Sequence, residues 1–349
     1  MLRDYQTWEV DEMVSYIETQ PGFLVGQFFG RIKTFNTETI EFDVINEGRR
    51  IAPFVSPLVQ GRVMRDSGSN VMQFKPAYIK LADLFRPTDG FTRRAGETYG
   101  GTMSPAQRID LAVQQVFERH RLGIELRKEW MAAQALIFGS ITVSGESYPT
   151  SVVDFGRDPA LSVTLTGANR WSQTTADPMG NIETVATLVR RKSRGSIVTD
   201  LIMNGVTWAL FRNLIKTDAT LAKLYTVFQN VMPGSNFDLS PRQGKTTAEL
   251  VGNIAGRFRI WVYDGFYNDD DFAEQPFIPD NKVLFMSSEG VEGTQYYGAI
   301  LDHEAGIEPR EIFTKTWLVK DPSALRILTQ AAPLVGPRRP NASAVLTVN

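Results

Sequence analysis

The chain has 349 residues, of which 42% are hydrophobic, 22% charged and 11% aromatic, a balance that excludes a disordered or fibrous polymer and supplies a large core. Its 37 basic and 39 acidic residues leave a net charge of -2, so it is no general polyanion binder, and any nucleic-acid contact must be local. It contains no Cys, which removes disulfides, thiolate nucleophiles and Cys-ligated metals and suits a reducing cytoplasm.

A length prior of about 150 residues per domain predicts two or three folding units. Residues 1–20 carry Asp4, Glu9, Asp11, Glu12 and Glu18 without a basic n-region, which argues against a signal peptide. No apolar stretch reaches the ~18 residues that a membrane span needs. The N-terminal segment begins with a helical pattern (Trp8, Val10, Met13, Val14, Ile17), meets Pro21-Gly22, and continues as an extended aromatic stretch from Phe23 to Phe42, reading as an arm. Two β-like runs, Val59 to Arg65 and Val71 to Lys80, flank Asp66-Ser67-Gly68-Ser69 and predict a long hairpin.

Ser104-Pro105-Ala106-Gln107 combines an N-cap Ser, a Pro at the first helical position and a capping-box Gln, and Gly139 supplies the stop. Between them Ile109, Val113, Val116, Phe117 and Ile124 recur at helical spacing and predict one rod of roughly 50 Å, in which Gly123 costs about 1 kcal/mol relative to Ala and is the position open to a bend or break. Strands are expected at Ile141 to Ser144 and Ser151 to Phe155. Asp177-Pro178 opens a second, mixed unit with a strand at Ser196 to Met203, helices at Gly205 to Lys216 and Ala219 to Asn230, a loop at Pro233 to Thr246, and strands at Phe258 to Tyr263 and Lys282 to Met286. Thr314 to Asn349 is extended and punctuated by Pro.

The motifs for chemistry are sparse. Gly244-Lys245-Thr246 lacks the Gly five residues earlier that a phosphate loop needs, Leu239 standing there, and no dinucleotide-binding glycine fingerprint occurs. His120, inside the long helix, reads as a packed histidine, and His303 within Asp302-His303-Glu304 lacks further ligands at a recognisable spacing. Asp269-Asp270-Asp271 does not fit a calcium loop. The basic run Arg190, Arg191, Lys192 and Arg194 reads as an exposed strand entrance. Charge is uneven along the chain. Residues 49–97 hold nine basic against four acidic side chains, whereas residues 263–311 hold two basic against twelve acidic, so basic and acidic surfaces can complement each other between copies.

The succession of arm, long hairpin, spine-like helix, mixed unit and extended return resembles the tailed-bacteriophage major capsid proteins, specifically the phage lambda major head protein (capsid protein E) family. The blocks that carry it are Val55-Ser56-Pro57-Leu58-Val59 with Gly61 and Val63; Phe74, Pro76, Tyr78 and Lys80; Thr142 with Ser144-Gly145-Glu146; Trp208-Ala209-Leu210-Phe211-Arg212; Pro279-Asp280-Asn281; Tyr297-Gly298; and Gln330-Ala331-Ala332-Pro333-Leu334. Residues 1–42 and 336–349 carry the least of it.

The resemblance implies an α+β capsid fold, divided into an N-terminal arm (1–52), an extended hairpin loop (53–100), a peripheral domain with the spine helix (101–176), an axial domain (177–310), and a return with the C-terminal tail (311–349). It further implies a homo-oligomer of hexamers and pentamers forming an icosahedral shell around packaged double-stranded DNA, with a portal protein and a decoration protein as partners. The virion is then its location, after assembly in the host cytoplasm. A long charged N-terminal extension of the built-in scaffold type is missing, which points to a separate scaffolding protein. No membrane, cofactor, metal or catalytic residue is implied. An isolated two-stranded ribbon is marginal in water, so the hairpin must lie on something, and a neighbouring subunit is the natural support. The expected intersubunit contacts are Arg62, Arg65, Met72, Phe74, Lys75, Tyr78 and Lys80. The rival readings are another self-assembling phage structural protein, such as a tail or decoration subunit, and an α/β hydrolase.

Overall fold

The computed structural model describes residues 22–37, 39–45, 69–74, 76–90, 104–145, 148–217, 248–254, 256–269 and 272–349. Among them are four α-helices: α1 (Phe23–Phe28), α2 (Pro105–Phe138), α3 (Pro178–Lys192) and α4 (Gly205–Thr217). Helix α2 has the boundaries that its capping residues dictate. Ser104 accepts from the Gln107 N–H while the Gln107 side chain accepts from the Ser104 N–H, and Gly139 closes the helix at φ 73.

The helix runs unbroken through Gly123 for 34 residues, the single rod that the spacing predicts. A methyl group added there meets only Leu81 Cδ1, at 3.8 Å. Gly123→Ala should therefore stabilise the subunit by about 0.5–1 kcal/mol, and a chemical-denaturation midpoint that fell instead would place hidden crowding at this turn.

Helix α2 spans two cores. Ile109, Val113, Val116 and Phe117 in its first half pack with Phe85, Leu325 and Ile327. These come from a three-stranded antiparallel sheet whose order is Phe313–Lys320, Ser323–Ala331, Ile79–Phe85. Met131, Ala132, Ala135 and Leu136 in its second half pack with Phe23, Leu24, Phe28 and Phe155.

The second half also faces a six-stranded mixed sheet, ordered Ser162–Thr164, Ser343–Thr347, Lys282–Met286, Asp200–Met203, Phe258–Tyr263, Ala248–Ile254. Its central strands are buried on both faces and alternate with period two. Leu201, Met203, Val283 and Phe285 meet the core under α3 and α4, formed by Ile182, Val185, Val189 and Phe211. Ile202, Leu284 and Met286 meet the core under α1 and α2. The sheet is thus the middle of three layers.

Several expectations are corrected by this arrangement. The stretch after Pro21-Gly22 is not extended from its start, because Phe23–Phe28 is helical and buries Phe23, Leu24, Val25 and Phe28. The run Val71 to Lys80 is not one strand: Pro76, which has no N–H to donate, divides Ser69–Phe74 from Ile79–Phe85. Ser69–Phe74 pairs with Ile40–Ile45, and residues 59–65 lie outside the described residues. Arg190, Arg191 and Lys192 form the last turn of α3, where they complement the helix dipole rather than mark a strand entrance. The strand expected from Ser196 begins at Asp200. Residues 219–246, with the expected helix and loop, lie outside the described residues, as does the helical pattern of residues 8–17. The last residues are extended, as expected, and Ser343–Thr347 hydrogen-bonds between Lys282–Met286 and Ser162–Thr164 inside the six-stranded sheet. The strands expected at 141–144 and 151–155 pair as Ser140–Gly145 with Tyr148–Asp154.

Candidate functional site

Of the expected contact residues, Arg62, Arg65 and Lys75 lie outside the described residues. Met72 stands opposite Phe42 in the strand pair. Phe74 is half-buried, with its ring 6.3 Å from that of the fully buried Phe155. The Tyr78 hydroxyl donates to Gln330 Oε1 at 2.7 Å and accepts from the Leu301 N–H at 3.2 Å. Lys80 is exposed and holds its ammonium 5.4 Å from the centre of the Tyr78 ring. Phe74 and Tyr78 thus anchor the base of the loop on its own subunit, whereas Lys80 faces outward.

Helix α2 carries the polar fastenings between layers. His120 is buried; its Nε2–H donates to Asp83 at 2.8 Å, and its Nδ1 accepts from the Thr329 hydroxyl at 2.9 Å, a tautomer assigned from the surrounding bonds. Arg119 completes the cluster by pairing with the same Asp83. Burial is the largest influence on His120 and holds it below its ordinary value, so the folded chain resists protonating it. The stability that this confers is full above about pH 6.5 and is lost as the pH falls through the lowered folded value. The wild-type melting temperature should accordingly drop between about pH 7 and 5.5 by more than that of His120→Gln, and equal drops would remove His120 as the cause.

About two turns on, Lys128 is 2% exposed and contacts Glu125 at 2.8 Å, Glu311 at 2.9 Å and the Tyr297 hydroxyl at 3.2 Å. Burial pulls its ammonium down, but Glu125, Tyr297 and Glu311 outweigh burial and hold it above the ordinary lysine value. Next to it Glu129, 1% exposed, accepts from the N–H groups of Leu24 at 2.7 Å and Val25 at 2.9 Å and from the Tyr263 hydroxyl at 2.8 Å. It thereby caps the N-terminus of α1 from another helix. Burial pushes its carboxyl up, against the pull of those three donors. At the C-terminus of α2 the buried Arg157 donates to the carbonyls of Leu136 and Ile137, and burial brings its guanidinium down to about 10. The negative end of the helix dipole is its counter-charge.

The axial layer presents two opposite surfaces. Arg194, Arg257, Arg259 and Arg339 line a cleft of about 970 Å³, together with Ile197 and one carboxylate, Glu289, so the arginines outnumber the acidic group four to one. Arg259 is tied to the buried Asp200 at 2.8 Å, and Arg339 donates to the Ser193 carbonyl at 3.1 Å. Arg257 is exposed, and Arg194 makes no hydrogen bond or ion pair among the described residues. At the other end of strand Phe258–Tyr263 a small hairpin pairs Phe266–Asn268 with Glu274–Pro276, steadied by Tyr267 against Phe277 at 5.2 Å.

Among the described residues nothing assembles a nucleophile, a base and an orienting group. Asp302 is held by Lys315 and Gln330, each at 2.7 Å, so it is a structural partner of the neighbouring sheet. Among the described residues no three His, Asp or Glu side chains group as metal ligands, and no helix is long and apolar enough to cross a membrane.

A long helix clasped between a three-stranded antiparallel sheet and the buried six-stranded sheet defines a subunit of the tailed-phage capsid fold. The solved structures agree: one assigned as a prophage capsid protein of Escherichia coli CFT073 superposes with a TM-score of 0.75 at 21% identity, covering 100% of both chains. The mature capsid of bacteriophage PhiM1 follows at 0.51, with 11% identity over 95% of this chain and 88% of that one. The family model for phage major capsid protein E matches residues 6–348, and the chain belongs to that family. The major capsid protein of Escherichia phage lambda is 29% identical over 320 residues, 88% of each chain. That of Enterobacteria phage phi80 is 28% identical over 316 residues, again 88% of each. The chain is a tailed-phage major capsid protein and a component of the virion.

The residues that sequence reasoning missed are Asp83, Glu129 and Arg157. Their partners lie 36 or more residues away for Asp83 and more than 100 for Glu129, while Arg157 reaches carbonyls about 20 residues back as well as the nearby Ser162 hydroxyl. The only local signal was a charged residue at an apolar-stripe position in a helix, as at Glu129 beside Met131 and Ala132.

Proposed function

We propose that this capsid protein closes into hexamers and pentamers that tile an icosahedral shell around packaged double-stranded DNA. A separate scaffolding protein, a portal protein and a decoration protein are its partners, assembly proceeds in the host cytoplasm, and the chain catalyses no reaction. The observation that carries this reading is the family match over residues 6–348, nearly the whole chain, to a family named for the major capsid protein. The division into loop (53–100), peripheral layer with spine helix, and axial sheet is supported by the separate cores on the two halves of α2. Within the arm of residues 1–52, Phe23–Phe28 enters the core, and the return of 311–349 serves the peripheral and axial layers alike.

Within this reading the loop crosses to a neighbour through Arg62, Arg65, Met72, Lys75 and Lys80, while Phe74 and Tyr78 hold its base. Size-exclusion chromatography followed by negative-stain microscopy should show capsomers or closed particles. A stable monomer with a saturable hydrolase activity that vanished in Asp302→Ala or His303→Ala would overturn the proposal.

A further inference from the structure

Closed rings of more than two subunits need a head-to-tail contact, in which each chain carries two different surfaces that fit one another. The axial layer offers such a pair. The hairpin of residues 266–276 contains Asp269, Asp270, Asp271 and Glu274 and no basic residue. Its Phe272 is 87% exposed and sits at φ 59, a left-handed conformation that a bulky side chain rarely adopts. The left-handed turn is held within the hairpin, where the Phe272 N–H donates to the Asp269 carbonyl and the Ala273 N–H to Asp269 Oδ1, but the exposed ring is not rewarded within the subunit, since exposed apolar area costs free energy. The arginine cleft supplies the complement. Its guanidinium groups suit carboxylates and the faces of aromatic rings, and Ile197, 51% exposed at its wall, offers apolar contact. Cleft and hairpin stand at opposite ends of strand Phe258–Tyr263, about 17 Å apart at ~3.3 Å per residue, so a chain cannot fill its own cleft.

We propose that the acidic hairpin of one subunit seats Phe272 in the arginine-lined cleft of the adjacent copy, with Glu274 paired to Arg257 or Arg194. This contact rests on the capsid reading and names the surfaces through which rings close in the axial layer.

The absence of Cys makes the test direct. A chain carrying Phe272→Cys and Ile197→Cys is assembled and treated with a short bismaleimide, and denaturing electrophoresis should show a ladder of multimers that neither single variant gives. Phe272→Ser should lower the particle yield roughly tenfold while leaving the melting temperature within about 2 °C of wild type. Glu274→Arg and Arg257→Glu should each impair assembly, and the two together should restore it. Particles that form but yield no ladder would sink this contact and leave the capsid reading standing, whereas a wild-type chain that never assembles would sink both. If Arg194→Glu with Arg257→Glu assembled normally but its particles lost bound double-stranded DNA, the cleft would be a nucleic-acid site and the proposed pairing wrong.

Discussion

Phe117→Ala should destabilise the isolated subunit by about 3–5 kcal/mol, the cost of emptying a fully buried aromatic site. Phe117 is 1% exposed and lies where α2 meets Phe85, Leu325 and Ile327. This small peripheral core has few members, so the surrounding side chains cannot close the gap. Phe74→Ala is the informative comparison. As a pure intersubunit residue it would leave the monomer untouched, but its packing against Phe155 gives it a share in the central core. A half-buried ring should cost about 1–2 kcal/mol in the monomer, and any further loss should appear only on assembly. Circular-dichroism melts beside particle counts separate the two effects. If Phe74→Ala unfolded the subunit as badly as Phe117→Ala while particles formed normally, the base of the loop would have no part in assembly.

Glu129→Ala should be nearly as damaging, at about 2–4 kcal/mol, because it orphans two backbone N–H groups and a hydroxyl in a dry site. Its effect should also be localised. Leu24 and Val25 would lose the cap that Glu129 provides, so amide hydrogen exchange across residues 23–34 should rise well before exchange in the six-stranded sheet. Gly22→Ala should mimic it, since a methyl group there would lie 2.2 Å from the Glu129 carboxyl carbon and displace the same side chain. Glu129→Gln keeps one acceptor and the volume, and should lose less than Glu129→Ala. Uniform exchange across the chain in Glu129→Ala would show that this carboxylate does not hold the N-terminal segment in place.

What the amino-acid order determined alone is whatever rests on neighbours within a few positions. Ser104, Pro105, Gln107 and Gly139 set both ends of α2 through bonds spanning three or four residues, and the apolar runs of Phe258–Tyr263 and Lys282–Met286 specified strands buried on both faces. The family blocks, short and in order, likewise identified the capsid fold. Tertiary structure decided the pairings and the charges. Ser69–Phe74 took Ile40–Ile45 as partner, and Ser343–Thr347 entered the axial sheet 57 residues or more from its neighbours, because strand pairing is a contest among distant edges that local pattern cannot rank. The continuity of α2 through Gly123 was settled by packing, since contacts along both halves outweigh the roughly 1 kcal/mol that one glycine costs. Glu129, Arg157 and Asp83 show the same limit: a charged side chain in a sequence reads as solvated surface until the fold places its donors and acceptors around it.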